Sequence, residues 1–336
     1  MKKLLFIMGI LLVSNPILRA AEPVPVSHRQ LQAVDDQGNS TFIESGIQYV
    51  RIEGILLNSP EQWLDPTADA TIAPFFMGGE WEIFVQGEGD DHAGTSCWMG
   101  QNYGNLPWVD DSYTNQEWLA EISWLNRDPN TGYVFRPGDR VRVTGRYLFY
   151  AGKLNINENH NITPEYDFSM ELVTPAVGLP QAEPVALTDL KDDMDRPLFD
   201  PDRLEGPEFY QARLVRITDV NVIDPENWGP NADIIVADAT GRTFPVHLCL
   251  GWGLSQNTCP TGQIDVIGIM DQNSTDGTQG YRVLVLDYDG NGLVLGSLST
   301  RRGNLPGDLN GDYRVDQADL ALLETQVGRE TAGLVQ

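Results

Sequence analysis

The chain has 336 residues, 33 Gly, 21 Pro and a formal net charge of -26. That length exceeds one small module, and so many turn formers suit short strands joined by many turns. The charge repels phosphate backbones and anionic membrane surfaces, which argues against either as the main partner.

The N-terminus reads as a targeting segment. Lys2 and Lys3 precede an apolar run over residues 4–13, and the small residues Ala20 and Ala21 follow. The run is too short to cross a bilayer, and Asn15-Pro16 interrupts it. A removable signal peptide over residues 1–20 is therefore expected, placing the protein outside the cytoplasm: secreted, periplasmic or on the cell surface. Its removal takes away Lys2, Lys3 and Arg19 but no acid, which moves the charge from -26 to -29. No later stretch approaches spanning length.

The strongest organisational signal is an internal repeat. Pro60-Glu61-Gln62-Trp63 and Pro225-Glu226-Asn227-Trp228 each follow an alternating strand pattern, around Val50 and around Leu214. A second strand follows in each copy, at residues 81–85 and 233–238. Later strands match at 140–145 and 263–268, then at 154–156 and 281–285. The shared Pro and Trp are expected to fix a turn and plug a barrel end. Strand, long excursion, strand, turn and strand is the order of a five-stranded Greek-key barrel.

On these residues the chain resembles the OB-fold-like domains of secreted bacterial proteins, some of them attached to extracellular nucleases. The resemblance implies a mainly β fold of two small OB-like Greek-key β-barrels, over residues 45–165 and 208–295, with a β-sandwich as the alternative. Between the third and fourth strands such a barrel usually carries a helix. Thr114 and Glu117, at capping-box spacing, predict one here, with Leu119, Ile122 and Trp118 as its apolar stripe. Residues 168–207, rich in Pro and Asp, read as an ordered linker that wraps the second module, its acidic run solvated.

Three cysteines, Cys97, Cys249 and Cys259, survive cleavage. In an oxidising compartment Cys249 and Cys259 are close enough in sequence to staple one loop, and Cys97 reads as a buried free thiol. The histidines His28, His92, His160 and His247 are scattered and form no triad or zinc pattern; His92 reads as part of a surface loop. Spacing singles out no acid/base pair, so the chain is expected not to be an enzyme.

Specific chemistry arises near the C-terminus. Asp308, Asn310, Asp312, Asp316 and Asp319 stand at positions one, three, five, nine and twelve of a loop, and the Arg314 carbonyl can serve at position seven. A hard cation needs six or more oxygens at once, and this spacing brings them round one point, so Ca2+ is the expected cofactor. A helix should follow over residues 319–327. Asp287-Tyr288-Asp289-Gly290-Asn291-Gly292 starts similarly but has Leu295 and Leu298 at the later ligand positions, and reads as a turn.

The run Gly307-Asp308-Leu309-Asn310-Gly311-Asp312 and the following Leu320-Ala321-Leu322-Leu323 resemble a dockerin repeat, here over residues 304–330. Dockerins carry two such loops and dock onto cohesin modules; this chain has one, with Tyr313 at the usual glycine of the sharp turn. The resemblance implies a cohesin-like or other cell-exterior protein partner.

For the barrels, Arg140, Arg142, Arg146 and Lys153 with Tyr147, Phe149 and Tyr150 suggest a single-stranded nucleic-acid groove. Arginines paired with acids across the sheet account for the same residues, and Asp265 stands where the second module should repeat Arg142. Trp98, Tyr103, Trp108, Tyr113, Trp118 and Trp124 could stack on carbohydrate, with Asp90, Asp91, Asp110 and Asp111 accepting from hydroxyls, although most such rings belong in a core. The favoured reading is an exported calcium-binding, non-enzymatic binding or scaffolding protein. The alternatives are an accessory or catalytic component of extracellular polysaccharide degradation, and nucleic-acid binding.

Overall fold

A computed structural model describes residues 22–70, 77–102, 112–157 and 168–288, and the backbone of 298–299. The first half contains β1 (Val24–Pro25), α1 (His28–Leu31), β2 (Tyr49–Leu56), β3 (Glu80–Gln86), β4 (Gly94–Gly100), α2 (Asn115–Leu125), β5 (Arg140–Tyr150), β6 (Lys153–Asn157) and β7 (Ser169–Thr174). The second contains β8 (Glu183–Val185), α3 (Leu187–Leu190), α4 (Gly206–Phe209), β9 (Leu214–Val222), β10 (Ala232–Ala237), β11 (Thr243–Leu248), α5 (Trp252–Gln256), β12 (Ile264–Gln272), β13 (Tyr281–Val285) and β14 (Leu298–Ser299).

Each half closes a five-stranded barrel. The first runs β2-β3-β4-β6-β5 and closes through β5 onto β2; the second runs β9-β10-β11-β13-β12 and closes through β12 onto β9. In each, the third and fifth strands pair in parallel, and the other neighbours within the barrel are antiparallel. With a helix between the third and fourth strands, this is the order of an OB-like barrel, repeated in tandem.

Alternation explains the cores. Trp81, Ile83 and Val85 of β3 point inward with Cys97 and Met99 of β4 and Leu154 and Ile156 of β6. In the second barrel Ile234, Val236, Val246, Val266 and Val283 do the same. The predicted helix forms with Thr114 as its cap and a full capping box to Glu117. Two members of the expected stripe pack on the first core and one does not: Trp118 is fully buried, with its indole N–H donating to the Pro66 carbonyl at 2.7 Å, and Ile122 packs beside it, whereas Leu119 is 58% exposed. Trp118, Ile122 and Leu125, four and three positions apart, share the buried face, and Leu119 lies on the adjacent one.

The segment after the first barrel contributes to both halves. β7 lies antiparallel to β5, and β8 lies parallel to β9. Its acidic run sits in local turns and surface ion pairs, including Arg196 with Asp192 and Arg242 with Asp193.

A third apolar cluster joins the barrels. Leu57, Trp63 and Phe84 of the first meet Leu214, Cys249, Ile267, Ile269, Leu284 and Leu286 of the second. Each such aliphatic or aromatic side chain removed from water contributes about 1.5–3 kcal/mol. Backbone contacts add register: Gly94 N–H donates to the Gln211 carbonyl at 3.1 Å, and Leu250 N–H to that of Gln62 at 3.0 Å.

Cys249 and Cys259 do not form the expected disulfide; both are free. The Cys249 thiol is buried in the cluster between the barrels, which pushes its pKa up, whereas Cys259 lies half-buried next to Pro260 beyond α5. The two side chains serve different surroundings, so closeness in sequence does not bring the sulfurs together. Cys97 is a buried free thiol inside the first barrel.

Candidate ligand-binding pocket between the barrels

Where β3, β4 and β6 turn their outer face toward the second barrel, a cavity of about 290 Å³ remains. Its walls come from the loop between β2 and β3 (Trp63, Leu64, Met77), from Glu80 and Glu82 of β3, and from Trp98 of β4. The end of β5 adds Leu148 and Tyr150, β6 adds Lys153, Asn155 and Asn157, and the second barrel adds Asp271, Asn273 and Arg282. The alternation that sends Trp81 into the core necessarily sends Glu80 and Glu82 outward into this space. The β5–β6 hairpin that carries Lys153 turns through Ala151 and Gly152, both with positive φ (53° and 90°), as a two-residue hairpin turn requires. A Cβ on Gly152 would stand 2.3 Å from the Gln272 side chain, so only glycine lets this hairpin approach the second barrel.

The floor is an ionic bridge between the barrels. Lys153 Nζ lies 2.7 Å from Asp271 Oδ1 and donates to the Gln272 carbonyl at 2.7 Å, while Arg282 Nε donates to Asp271 Oδ2 at 3.0 Å. Burial raises the Asp271 pKa, but the two cations outweigh it and hold the carboxyl below its usual range. Arg282 also lies over the Trp63 ring, 5.3 Å from its centroid.

The opposite wall has the reverse electrostatics. Burial pushes the Glu80 carboxyl up to about 7, neighbouring Glu82 adds to the shift, and a hydrogen bond from Trp98 opposes it. Glu82 is also raised by burial, against the attraction of Lys153 and hydrogen bonds from Trp63 and Ser96. The Trp63 indole N–H donates to Glu82 Oε2 at 2.5 Å. Three carboxylates thus face two cations, and both cations are committed to Asp271. With Glu80 and Glu82 ionised, the pocket carries one uncompensated negative charge.

The sequence pointed to several other places. Arg140 pairs with Glu88, and Arg142 with Glu53 and Glu171, as arginines balanced across a sheet do. Among the aromatic residues, Trp118 is core, Trp124 is 41% exposed and Trp98 lines the pocket. His92 is not in a free surface loop: it stacks on Phe209 at 3.9 Å and its Nε2 lies 2.8 Å from Glu183, so it belongs to the contact between the halves. The repeated Pro and Trp do form a turn in each copy. Trp63, however, borders the pocket instead of plugging a barrel end, while Trp228 packs against Tyr288. The calcium ligands Asp308, Asn310, Asp312, Arg314, Asp316 and Asp319 lie outside the described residues, as do the signal peptide, His160, Tyr103, Trp108, Asp110 and Asp111.

Sequence reasoning missed Glu80, Glu82, Asp271 and Arg282. The available signal was a pair of glutamates two positions apart in an otherwise apolar strand.

No family model and no curated protein matches the chain. Among solved structures, the chain is similar to a replication protein A heterotrimer bound to single-stranded DNA, at 11% identity and a TM-score of 0.19, over 78% of this chain and 68% of that one. The OB-like assignment rests on this chain's own strand order.

Proposed function

We propose that the chain is an exported, calcium-binding, non-enzymatic binding and scaffolding protein: a pair of docked barrels presents a ligand pocket, and a dockerin-like tail carries the protein interaction. The pocket between the barrels carries this reading, because it combines an aromatic and aliphatic wall with a few buried polar groups, as small-ligand sites do. The tail enters through the oxygen spacing of residues 308–319.

Calorimetric titration of the chain lacking residues 1–20 should give one calcium site with a dissociation constant of roughly 0.1–1 mM. Asp308→Ala should abolish it. Absence of calcium-linked heat in the parent would remove the tail from the proposal and leave the pocket untouched.

Nucleic acid fits less well. OB-type barrels bind oligonucleotides on this strand face and its flanking loops, using a basic groove and exposed rings. Here that face carries Glu80 and Glu82 and lies under the second barrel. Oligonucleotide binding that weakens steeply between two salt concentrations would reverse this preference.

One observation favours polysaccharide chemistry as the second reading: carboxyls pushed up on one wall face a carboxyl held down on the other. Against it, both Asp271 oxygens are engaged by Lys153 and Arg282, and the residue is 1% exposed. Glu80 and Glu82 share one strand, with Cα atoms about 7 Å apart on the same wall, so they do not flank a bond from both sides. Release of reducing sugar that Glu80→Gln abolishes would establish the enzyme.

A further inference from the structure

We propose that the pocket between the barrels takes a small organic cation, an amine or guanidinium on a short aliphatic or cyclic body, with Glu80 and Glu82 receiving the charge. The proposal deepens the reading of the chain as a binding protein and rests on it. Two features select this ligand class over a neutral sugar or an anion.

The first is charge complementarity. Lys153 and Arg282 are tied to Asp271, and hydrogen bonds from Trp63 and Trp98 are the indole contacts to the two glutamates. With both glutamates ionised, a monovalent cation would neutralise the remaining charge of the pocket, whereas an anion would add to it. The chain's charge of -26 also raises the local concentration of cations.

The second is shape. Trp98, Leu148 and Tyr150 form an apolar rim above the acids, Tyr150 being 54% and Leu148 39% exposed. Such a rim would cover the hydrocarbon part of an amine and add ring–cation attraction. The cavity of about 290 Å³ suits an amino-acid-sized molecule.

Binding should be linked to protons. Glu82 on its own strand and Trp98 on β4 act directly on Glu80, Lys153 of the β5–β6 hairpin and Asp271 of the second barrel act on Glu82, and Tyr150 and Arg282 complete the titratable and charged lining of the pocket. Of these, Glu80 and Glu82 are the carboxyls raised by burial. A cation favours their ionised forms, so its binding should expel protons.

Agmatine, cadaverine and choline would be titrated calorimetrically into the protein at pH 5.5 and pH 8, in buffers of different ionisation heat, beside glucose, xylobiose and glutamate. The expected result is saturable binding of at least one amine, on the order of tenfold tighter at pH 8, with proton release. Glu80→Gln should remove most of the pH dependence, and Tyr150→Ala, at the exposed rim, should weaken binding without unfolding the protein. Binding of a neutral sugar with no amine bound would overturn the cation proposal and leave the binding-protein reading standing. Amine binding unchanged in Glu80→Gln and in Glu82→Gln would overturn it too. Binding of no probe of either class would remove both.

Discussion

The two barrels offer a controlled comparison. In the first, Glu82 stands opposite Trp98 across β3 and β4; in the second, Asp233 stands opposite His247 across β10 and β11. Both pairs put an outward carboxylate across from an outward ring on the same two strands of the same kind of barrel. The Asp233 side chain is 72% exposed and its oxygen lies 2.8 Å from His247 Nδ1. Glu82 is 8% exposed, roofed by the second barrel and pushed up by burial. Strand pattern therefore sets which residues face outward, and the docking of one barrel on the other decides which outward face becomes a pocket.

The comparison is broken most strongly at the bridge. Asp271→Ala leaves Lys153 and Arg282 buried without their shared partner, and chemical denaturation should show a loss of about 3–5 kcal/mol. In the parent, Asp271 is held down, so its stabilisation is present above the ordinary carboxylate range and is lost as pH falls through its lower folded value. Stability should accordingly fall as pH drops from the ordinary carboxylate value toward the lower folded one, and Asp271→Ala should flatten that limb.

Glu80 works with the opposite sign. Its folded value of about 7 lies above that of the unfolded chain, so burying it costs nothing in acid, costs more as pH rises from the ordinary carboxylate value to about 7, and costs a constant amount above that. Thermal melts should find Glu80→Gln equal to the parent at pH 4 and more stable at pH 8, by up to about 3 kcal/mol. A pH-independent difference would contradict the desolvated environment assigned to this carboxyl.

Trp63→Phe keeps an aromatic ring, though a smaller one, and removes the indole donor to Glu82. A loss of about 1–3 kcal/mol is expected, measured by urea denaturation, with the Glu82 carboxyl rising further as seen by carboxyl-resolved NMR titration. The smallest effect belongs to the exposed member of the comparison. Asp233→Asn should cost about 0–1 kcal/mol, and a loss as large as that of Asp271→Ala would show that exposure is not what separates the two sites.

Sequence legibility follows the same division. Alternating strands, the repeated Pro-Glu-amide-Trp turns and the Thr114–Glu117 cap are local patterns, and each appears in the fold where its residues stand. The Cys249–Cys259 pairing, the place of Leu119 on α2 and the setting of His92 were misjudged, because each depends on what packs against the residue in the folded chain.

The sequence by itself determined two mainly β barrels and which residues of each strand face inward, since side-chain alternation is fixed by backbone geometry. Tertiary structure alone decided that Lys153, Asp271 and Arg282 share one buried bridge and that Glu80 and Glu82 lose their water. Those outcomes follow from the docking of barrels whose contacting residues lie more than a hundred positions apart in the chain, for example Lys153 against Gln272, separated by 119 residues. Desolvation belongs to that assembled surface, and no spacing within either strand encodes it.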